Sequence, residues 1–103
     1  MTSAIPVTEA DLREQVRDLA KLFGWKMYFS WTSLHSPRGF PDLVLCRPGG
    51  QGRVGGVIFA ELKSETGQVK PHQEEWLQAL RDAGQAVYVW RPRDIEDIAQ
   101  LLR

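Results

Sequence analysis

The segment Val57–Lys63 constrains the fold of this chain more than any other. In an extended strand successive side chains point to opposite faces, so its apolar residues fall on both faces, as in a central strand covered on both sides. Glu61 and Lys63, two residues apart, then share one face at the end of the strand. One interpretation is a strand that leaves the core with a solvated ion pair, an arrangement that is common and contributes little to stability. The other is a functional pair, and the segment alone leaves both open.

Length and composition favour one small globular domain over residues 1–103. Of the 103 residues 43% are apolar, which is enough for a single modest core. No apolar run approaches the roughly 18 residues of a membrane span. The N-terminal residues also do not resemble a signal peptide. We therefore expect a cytoplasmic protein with no membrane partner.

The charge and cysteine content of the chain argue against several classes of function. Thirteen basic and thirteen acidic side chains cancel, which argues against a protein that coats nucleic acid by bulk charge but allows a local basic patch. The one cysteine, Cys46, cannot form an internal disulfide or a zinc site by itself. Because it lies in an apolar segment, we expect it to be a small core residue.

A helix is predicted to follow residues 1–7, which we expect to be flexible. Thr8 is a good N-cap, and apolar residues recur at helical spacing until Gly24. The apolar stripe consists of Leu12, Val16, Leu19, Ala20 and Phe23. At about 100° per residue, Glu9 falls within this stripe and Glu14 falls on the opposite side. Glu9 is therefore the acid expected to point inward, although a first-turn acid that interacts with the helix dipole is an alternative role for it.

Two strands are predicted next, separated by a polar loop. The aromatic segment Trp25–Trp31 alternates between apolar and polar residues, which indicates a strand. The loop Thr32–Gly39 contains groups that can reach phosphates, although such loops are more often only solvated. Strand Leu43–Cys46 then follows Asp42. An aspartate is poorly suited to begin a strand, which indicates a turn-capping or functional role for it.

The remaining chain predicts a glycine-rich connection, a helix, a strand and a closing helix. The helix begins at Pro71 and ends near Ala83, the strand is Ala86–Trp90, and the last helix is Asp94–Leu102. The residues expected to point inward from the last helix are Ile95, Ile98, Leu101 and Leu102. Because a helical crossover precedes the final strand, we expect that strand to run parallel to a neighbour in a mixed sheet.

Four charged residues lie at the ends or on the inward faces of separate predicted elements: Glu9, Asp42, Glu61 and Lys63. Three carboxylates suit Mg²⁺ or Mn²⁺, because hard divalent cations take oxygen ligands and offset the repulsion between them. A lysine two residues after one of the acids can stabilise charge that develops on a phosphoryl group. These are the parts of a metal-dependent phosphodiesterase.

The motifs resemble the VRR-NUC (virus-type replication-repair nuclease) branch of the PD-(D/E)xK nuclease superfamily. The residues that carry the resemblance are Gly39-x-Pro41-Asp42, then Glu61-x-Lys63, then Gln73 and Trp76 on the following helix. The resemblance covers nearly the whole chain. It implies an α/β, restriction-endonuclease-like fold, in which an αβββαβ core forms a mixed central sheet flanked by helices and a C-terminal helix is added.

The resemblance also implies roles for individual residues. Asp42 and Glu61 would be metal ligands, the backbone carbonyl of Leu62 a further ligand, and Lys63 the catalytic lysine. Gln73 matches the motif glutamine that orients the metal site or contacts the scissile strand. The acid early in the first helix agrees with Glu9, while Glu14 remains the alternative. The residues expected to bind DNA are Ser33, His35, Arg38 and Lys70.

The function that follows is a Mg²⁺- or Mn²⁺-dependent DNA endonuclease, with branched DNA or four-way junctions as the expected substrate. No predicted element resembles a recognition helix, so shape and backbone contacts should outweigh base readout. The alternatives are a restriction-like or end-trimming nuclease and an inactive nuclease-fold module that binds DNA or a protein. We also expect a homodimer, because cutting two strands symmetrically needs two sites related by a two-fold axis.

Overall fold

Helix α1 begins and ends at the residues that the sequence predicts. The computed structural model describes residues 6–30 and 35–103, and α1 spans Glu9–Phe23. The Thr8 hydroxyl accepts a hydrogen bond from the Asp11 N–H at 3.0 Å, and the Asp11 carboxylate accepts one from the Thr8 N–H at 3.1 Å. This reciprocal pair satisfies two N–H groups at the helix start. Gly24 ends the helix with a left-handed φ of 81°, which glycine adopts without steric cost.

Six further helices and strands follow α1 within the described residues, in the predicted order. They are β1 (Lys26–Phe29), β2 (Leu43–Arg47), β3 (Gly56–Leu62), α2 (Pro71–Asp82), β4 (Ala86–Trp90) and α3 (Ile95–Leu102). A short 3₁₀ turn, Pro92–Asp94, leads into α3. Across residues 6–30 and 35–103, no helix is both long enough and apolar enough to cross a membrane.

The four strands form one mixed sheet in the order β1-β2-β3-β4. The pairs β1–β2 and β2–β3 are antiparallel, and β3–β4 is parallel. Helix α2 supplies the crossover that a parallel connection requires. The predicted fold class is therefore confirmed: a mixed central sheet flanked by helices, with a C-terminal helix.

Helices α1 and α3 cover one face of the sheet. Buried apolar side chains from both helices pack against alternate residues of the strands. The helices contribute Leu12, Val16, Ala20, Ile98 and Leu102, and the strands contribute Leu43, Leu45, Ile58, Ala60, Leu62 and Trp90. The intervening strand residues, including Val44, Phe59 and Glu61, therefore point to the opposite face.

Helix α2 covers only part of that opposite face. Trp76 of α2 packs edge-on against Phe40 with ring centroids 5.1 Å apart, and Phe40 packs in the same way against Phe59 of β3 at 6.0 Å. Elsewhere on this face, Tyr28 of β1 is 67% exposed and Val57 is 41% exposed. This partly open surface is called the site face below, because the candidate catalytic residues lie on it.

Two predictions about buried residues are wrong. Cys46 was expected in the core but is exposed, because it points to the site face where α2 does not reach. Leu101 was expected to point inward but is 38% exposed. On α3 only Ile98 and Leu102, four residues apart, are buried, which leaves Leu101 at the rim of the apolar stripe.

The first strand is shorter than predicted. The sequence pattern suggested Trp25–Trp31, whereas β1 spans Lys26–Phe29. Trp25 precedes the strand and is buried in the core. Trp31 lies outside the described residues, as do Ser33 and most of the segment 1–7 that was expected to be flexible.

Arg47 is a buried cation that joins the C-terminal ends of α1 and α3. Its guanidinium donates to the carbonyl oxygens of Phe23 and Leu102, each at 2.9 Å, and to that of Val54 at 2.7 Å. It also stacks over the Trp25 ring at 4.6 Å. Carbonyl oxygens at helix C-termini carry partial negative charge. They therefore satisfy much of the hydrogen-bonding capacity of this buried guanidinium, which also donates to the Arg103 oxygen at 3.2 Å.

Candidate active site

Asp42 and Glu61 lie opposite each other on β2 and β3. Leu43 pairs with Ala60, so the antiparallel register places Asp42 across from Glu61 with both side chains on the site face. The Asp42 N–H donates to Glu61 Oε1 at 3.3 Å, and the Leu62 N–H donates to Asp42 Oδ2 at 2.9 Å. Strand register thus brings together two acids that are nineteen positions apart in the sequence.

Lys63 completes this group on the Glu61 side. Its Nζ lies 3.2 Å from Glu61 Oε2, and the two side chains are only 9% and 2% exposed. The Lys63 N–H donates to the Trp90 carbonyl at 3.0 Å, so β4 fixes the residues that follow β3. The interpretation of Glu61 and Lys63 as a solvated pair is therefore wrong. Burying two charges is costly and often gives no net stability, so stability alone does not account for this pair.

The three charges of this group do not balance. Burial and then the neighbouring Asp42 carboxylate raise the pKa of Glu61 from 4.5 to about 7, against the lowering effect of Lys63. Two carboxylates share one ammonium, so Glu61 is only partly ionised at neutral pH. A divalent cation beside both carboxylates would remove the repulsion and favour the ionised form. The donor set of hard oxygen atoms fits Mg²⁺ or Mn²⁺.

Glu9, the third predicted carboxylate, lies near this pair but does not join it. Together with Asp42 and Leu62 it lines a small cavity of about 70 Å³. Within residues 6–30 and 35–103, no three His, Cys, Asp or Glu side chains form a group that could hold a metal ion. Among these residues Glu9 therefore borders the same cavity as Asp42 without completing a three-carboxylate cluster. Metal binding by Glu9 or by the Leu62 carbonyl stays a prediction.

The neighbours of Glu9 on α1 include a cation that sequence reasoning missed. Arg13 lines the same cavity as Glu9, and its guanidinium lies over the Phe29 ring, 4.8 Å from the centroid. The sequence spacing could have revealed it, because Glu9 and Arg13 are four residues apart and such residues share a helix face. Glu14, the alternative acid, is exposed and lies 3.7 Å from Arg17. It does not line the cavity beside Asp42.

A larger cleft of about 560 Å³ opens on the site face next to Asp42. One side is β1 with Tyr28, and the other is formed by Phe40 and the first two turns of α2. The lining includes Tyr28, Arg38, Phe40, Asp42, His72 and Trp76. The cleft therefore combines aromatic rings, a guanidinium and an imidazole beside one of the two paired carboxylates.

Gly39 allows the loop before β2 to lie against α2. It adopts a φ of +95°, and a Cβ there would lie 2.4 Å from the His72 carbonyl oxygen. Only glycine fits this close approach in that conformation. The loop that contains Arg38 is thus held at the edge of the cleft, which explains the glycine of the Gly39-x-Pro41-Asp42 motif.

The structure divides the other predicted site residues into three groups. Arg38 and Gln73 line the cleft, and the Gln73 side-chain oxygen also accepts the Lys70 N–H at 2.9 Å at the start of α2. His35 and Lys70 are exposed but do not line the cleft. Ser33 lies outside the described residues. Tyr28 and His72 line the cleft but were not predicted, because alternation and helical spacing do not reveal which surface residues border a cavity.

Arg91, at the end of β4, fixes the loop that follows Lys63. Its guanidinium donates to the carbonyl oxygens of Ser64 and Gly67, each at 2.7 Å. The Gly67 N–H also donates to the Ser64 hydroxyl at 3.0 Å, which closes the turn. A Cβ on Gly67 would lie 3.7 Å from Lys63 Cδ. The turn therefore packs beside the Lys63 stem, and Arg91 holds the turn.

Comparison with known proteins assigns the family. The sequence model of the VRR-NUC domain family matches residues 2–94 of this chain. The chain belongs to the VRR-NUC family. The matched range contains every predicted catalytic and metal-binding residue, and it ends before α3. A search among curated proteins returned no match.

Two solved structures share the fold of this VRR-NUC domain. A structure described as a VRR_NUC domain superimposes with a TM-score of 0.70 at 21% identity, covering 89% of this chain and 94% of that one. A VRR_NUC domain protein gives a TM-score of 0.69 at 20% identity, covering 95% of this chain and 87% of that one. The predicted family is thus confirmed. The chain is a nuclease-fold domain of a family whose name indicates nuclease activity.

Proposed function

We propose that this VRR-NUC domain is a Mg²⁺- or Mn²⁺-dependent endonuclease that hydrolyses phosphodiester bonds in DNA. The observation that carries the proposal is the group formed by half-buried Asp42, buried Glu61 and buried Lys63, with Lys63 Nζ 3.2 Å from the Glu61 carboxylate. A buried carboxylate next to a second carboxylate, with one ammonium for both, is unfavourable in a structural core. It is useful where a cation and a phosphate must bind.

Each residue of the group has a definite task in this proposal. Asp42 and Glu61 would hold the cation through their carboxylate oxygens, and the Leu62 carbonyl and Glu9 are the proposed further oxygen ligands. Lewis-acid activation of the phosphate and of the attacking water is the chemistry that a bound cation would supply. Lys63 Nζ, fixed by Glu61, stabilises negative charge that develops on the phosphate oxygens.

The cleft on the site face is the proposed place for the DNA strand. Arg38 at its rim can contact phosphate without reading sequence, and Lys70 and His35 are proposed to contact the backbone farther out. Gln73 is proposed to contact the scissile strand or to orient the metal ligands. No element predicted from the sequence resembles a recognition helix, so base readout is not proposed as the basis of selectivity. DNA shape, as in branched DNA or a four-way junction, is thus the proposed basis of selectivity.

Cleavage of a panel of labelled DNAs tests the proposal. Linear, flapped and four-way DNAs are incubated with the protein in Mg²⁺, in Mn²⁺ or in EDTA, and Lys63→Ala protein serves as the control for contaminating nuclease. We expect cleavage with either metal, none in EDTA, and the highest rate on branched DNA. Preferred cutting at the ends of linear DNA would support the end-trimming alternative. DNA binding without cleavage in any metal would support the inactive module.

A further inference from the structure

The cleft on the site face contains groups that phosphodiester hydrolysis by Asp42, Glu61 and Lys63 does not use. Tyr28 is the most exposed aromatic side chain among the described residues, at 67%. It lines the cleft together with Phe40 and His72. Single-strand binding sites place aromatic rings along a cleft so that unpaired bases can stack on them. The position of these rings in one cleft with Asp42 therefore fits a substrate group as their partner.

The strand register fixes where Tyr28 lies relative to Asp42. Tyr28 pairs with Val44 on β2, and Val44 lies two residues after Asp42 on the same face. Diagonal neighbours of this kind in an antiparallel pair are about 7–8 Å apart. One nucleotide spans such a distance. A base on Tyr28 can therefore belong to the nucleotide adjacent to a phosphate at Asp42.

The opposite side of the cleft is suited to a base rather than to a duplex. Phe40 and Trp76 form an edge-to-face pair with centroids 5.1 Å apart, and the cleft volume of about 560 Å³ accommodates a single nucleotide. The Gln73 side-chain oxygen accepts the Lys70 N–H, and its Nε2 group is the donor that this amide offers to a ligand. Single-strand sites commonly combine such rings with a cation that follows the backbone.

We infer that the cleft binds one unpaired nucleotide of the DNA next to the scissile phosphate, with its base stacked on Tyr28. The inference deepens the proposed function and rests on it, because it places the scissile phosphate at the Asp42–Glu61 pair. Arg38 contacts the backbone of the unpaired nucleotide, and His72 borders its base. A continuous duplex would have to unstack and unpair one base to enter, which is energetically unfavourable. DNA that already has unpaired nucleotides enters without that cost.

Binding of a fluorescent base analogue tests the inference without any cleavage. Two DNAs of the same length are compared in EDTA, one with 2-aminopurine unpaired at a flap junction and one with it paired in a continuous duplex. Tyr28→Ala should weaken binding of the unpaired DNA by about 5- to 150-fold, the loss of one base–aromatic stacking contact. It should also abolish the fluorescence change on binding. Tyr28→Phe should keep both, because the ring is retained.

Leu22→Ala is the matched control, because Leu22 is also 67% exposed but lies on α1 outside the cleft. We expect it to bind both DNAs as the wild-type protein does. Equal wild-type affinity for the unpaired and paired DNAs would overturn the inference. It would equally be overturned if Tyr28→Ala behaved like Leu22→Ala.

Cleavage of the same two DNAs in Mn²⁺ separates this inference from the proposed function. Equal cleavage of both by wild-type and Tyr28→Ala proteins would overturn the nucleotide site and leave the nuclease proposal intact. Tyr28-dependent binding with no cleavage in Mn²⁺ or Mg²⁺ would overturn the nuclease proposal and leave the nucleotide site. A protein that neither binds nor cleaves either DNA would overturn both.

Discussion

Glu61 is a buried acid whose charge the protein compensates only in part. Its pKa is raised to about 7, first by burial and second by Asp42. The folded state therefore holds a proton more tightly than the unfolded chain, where the pKa is near 4.5. The contribution of Glu61 to the free energy of unfolding is therefore most favourable below pH 4.5, and it is lost as the pH rises through 7.

The resulting prediction concerns stability in EDTA. Between about pH 4.5 and pH 7 the free energy of unfolding should fall by a contribution on the order of 3 kcal/mol from Glu61. Glu61→Gln cannot ionise and should remove that decrease, and Mn²⁺ should restore wild-type stability at pH 8. Urea unfolding at pH 5 and at pH 8 measures the change in the free energy of unfolding between these two pH values. The pKa assignment fails if wild-type and Glu61→Gln proteins lose stability in parallel.

Glu9 and Glu14 form a matched pair of acids on α1. Only Glu9 lines the cavity next to Asp42, whereas Glu14 is exposed beside Arg17. Glu9→Ala should therefore reduce the cleavage rate strongly with little change in melting temperature, and Glu14→Ala should change neither. Single-turnover cleavage and thermal unfolding of both variants decide between them. Wild-type cleavage by Glu9→Ala protein would exclude Glu9 as a ligand.

At the scale of elements, the turn after β3 is the part of the site that depends most on one distant residue. Arg91→Ala removes both 2.7 Å hydrogen bonds to the turn and should let the Lys63 stem move. We expect the turnover rate to fall about ten- to hundredfold, since small misplacement of a catalytic group has effects of this size. Mn²⁺ affinity should not change, because Asp42 and Glu61 are held by the strands.

Arg93→Ala is the control for Arg91→Ala. Arg93 lies 3.5 Å from the Glu65 carboxylate in an exposed ion pair, and such pairs contribute little. The turnover rate of Arg93→Ala protein should equal that of the wild-type protein. If Arg91→Ala lowered Mn²⁺ affinity and the turnover rate together, Arg91 would support the whole sheet edge rather than position Lys63.

Sequence patterns predicted the elements well because each element has strong local signals. Thr8 and Gly24 bound α1, alternation of apolar residues defines β3, and Pro71 starts α2. The motifs also predicted that Asp42 and Glu61 meet. The structure brings them together through the antiparallel register of β2 and β3 alone. Predicting the helices and strands therefore required little information about tertiary contacts.

Side-chain exposure was harder to predict, because it depends on which surfaces other elements cover. Cys46 is exposed since α2 stops short of it, and no local pattern encodes the reach of a neighbouring helix. Arg47 is buried by contacts with Phe23 and Leu102, which are distant in the sequence and are therefore not encoded by any local pattern. Tyr28 and His72 were not predicted as cleft residues for the same reason, because the border of the cleft depends on how separate elements pack.

At the scale of the whole molecule, the surface gives only part of the support expected for a homodimer. Four tryptophans, four phenylalanines and two tyrosines are many for so small a core, and aromatic side chains left at the surface would favour a partner. Most of the aromatic side chains in the described residues instead pack in the core or in the Phe40–Phe59–Trp76 cluster. Among the aromatic residues that the structure describes, Tyr28 is the most exposed at 67%, followed by Phe40 at 39%. The remaining argument for a dimer is the symmetry of a junction with two scissile strands.

We therefore keep the homodimer as a proposal with a direct test. Light scattering after size exclusion should give twice the mass of the 11.7 kDa chain at micromolar concentration. A four-way DNA added to the sample should be cut in both strands within one encounter. A mass of one chain with and without DNA, together with paired cuts, would contradict the proposal.

The central claim is that Asp42, Glu61 and Lys63 form a metal-dependent catalytic centre. The most direct measurement is the single-turnover cleavage rate of one flapped DNA as a function of Mn²⁺ concentration, for wild-type, Glu61→Gln and Lys63→Ala proteins. We predict no cleavage by the wild type in EDTA and a rate that saturates with Mn²⁺. Glu61→Gln should not cleave, and Lys63→Ala should saturate at a similar Mn²⁺ concentration with a rate lower by about 10²–10³. Wild-type cleavage in EDTA, or equal rates for all three proteins, would contradict the account.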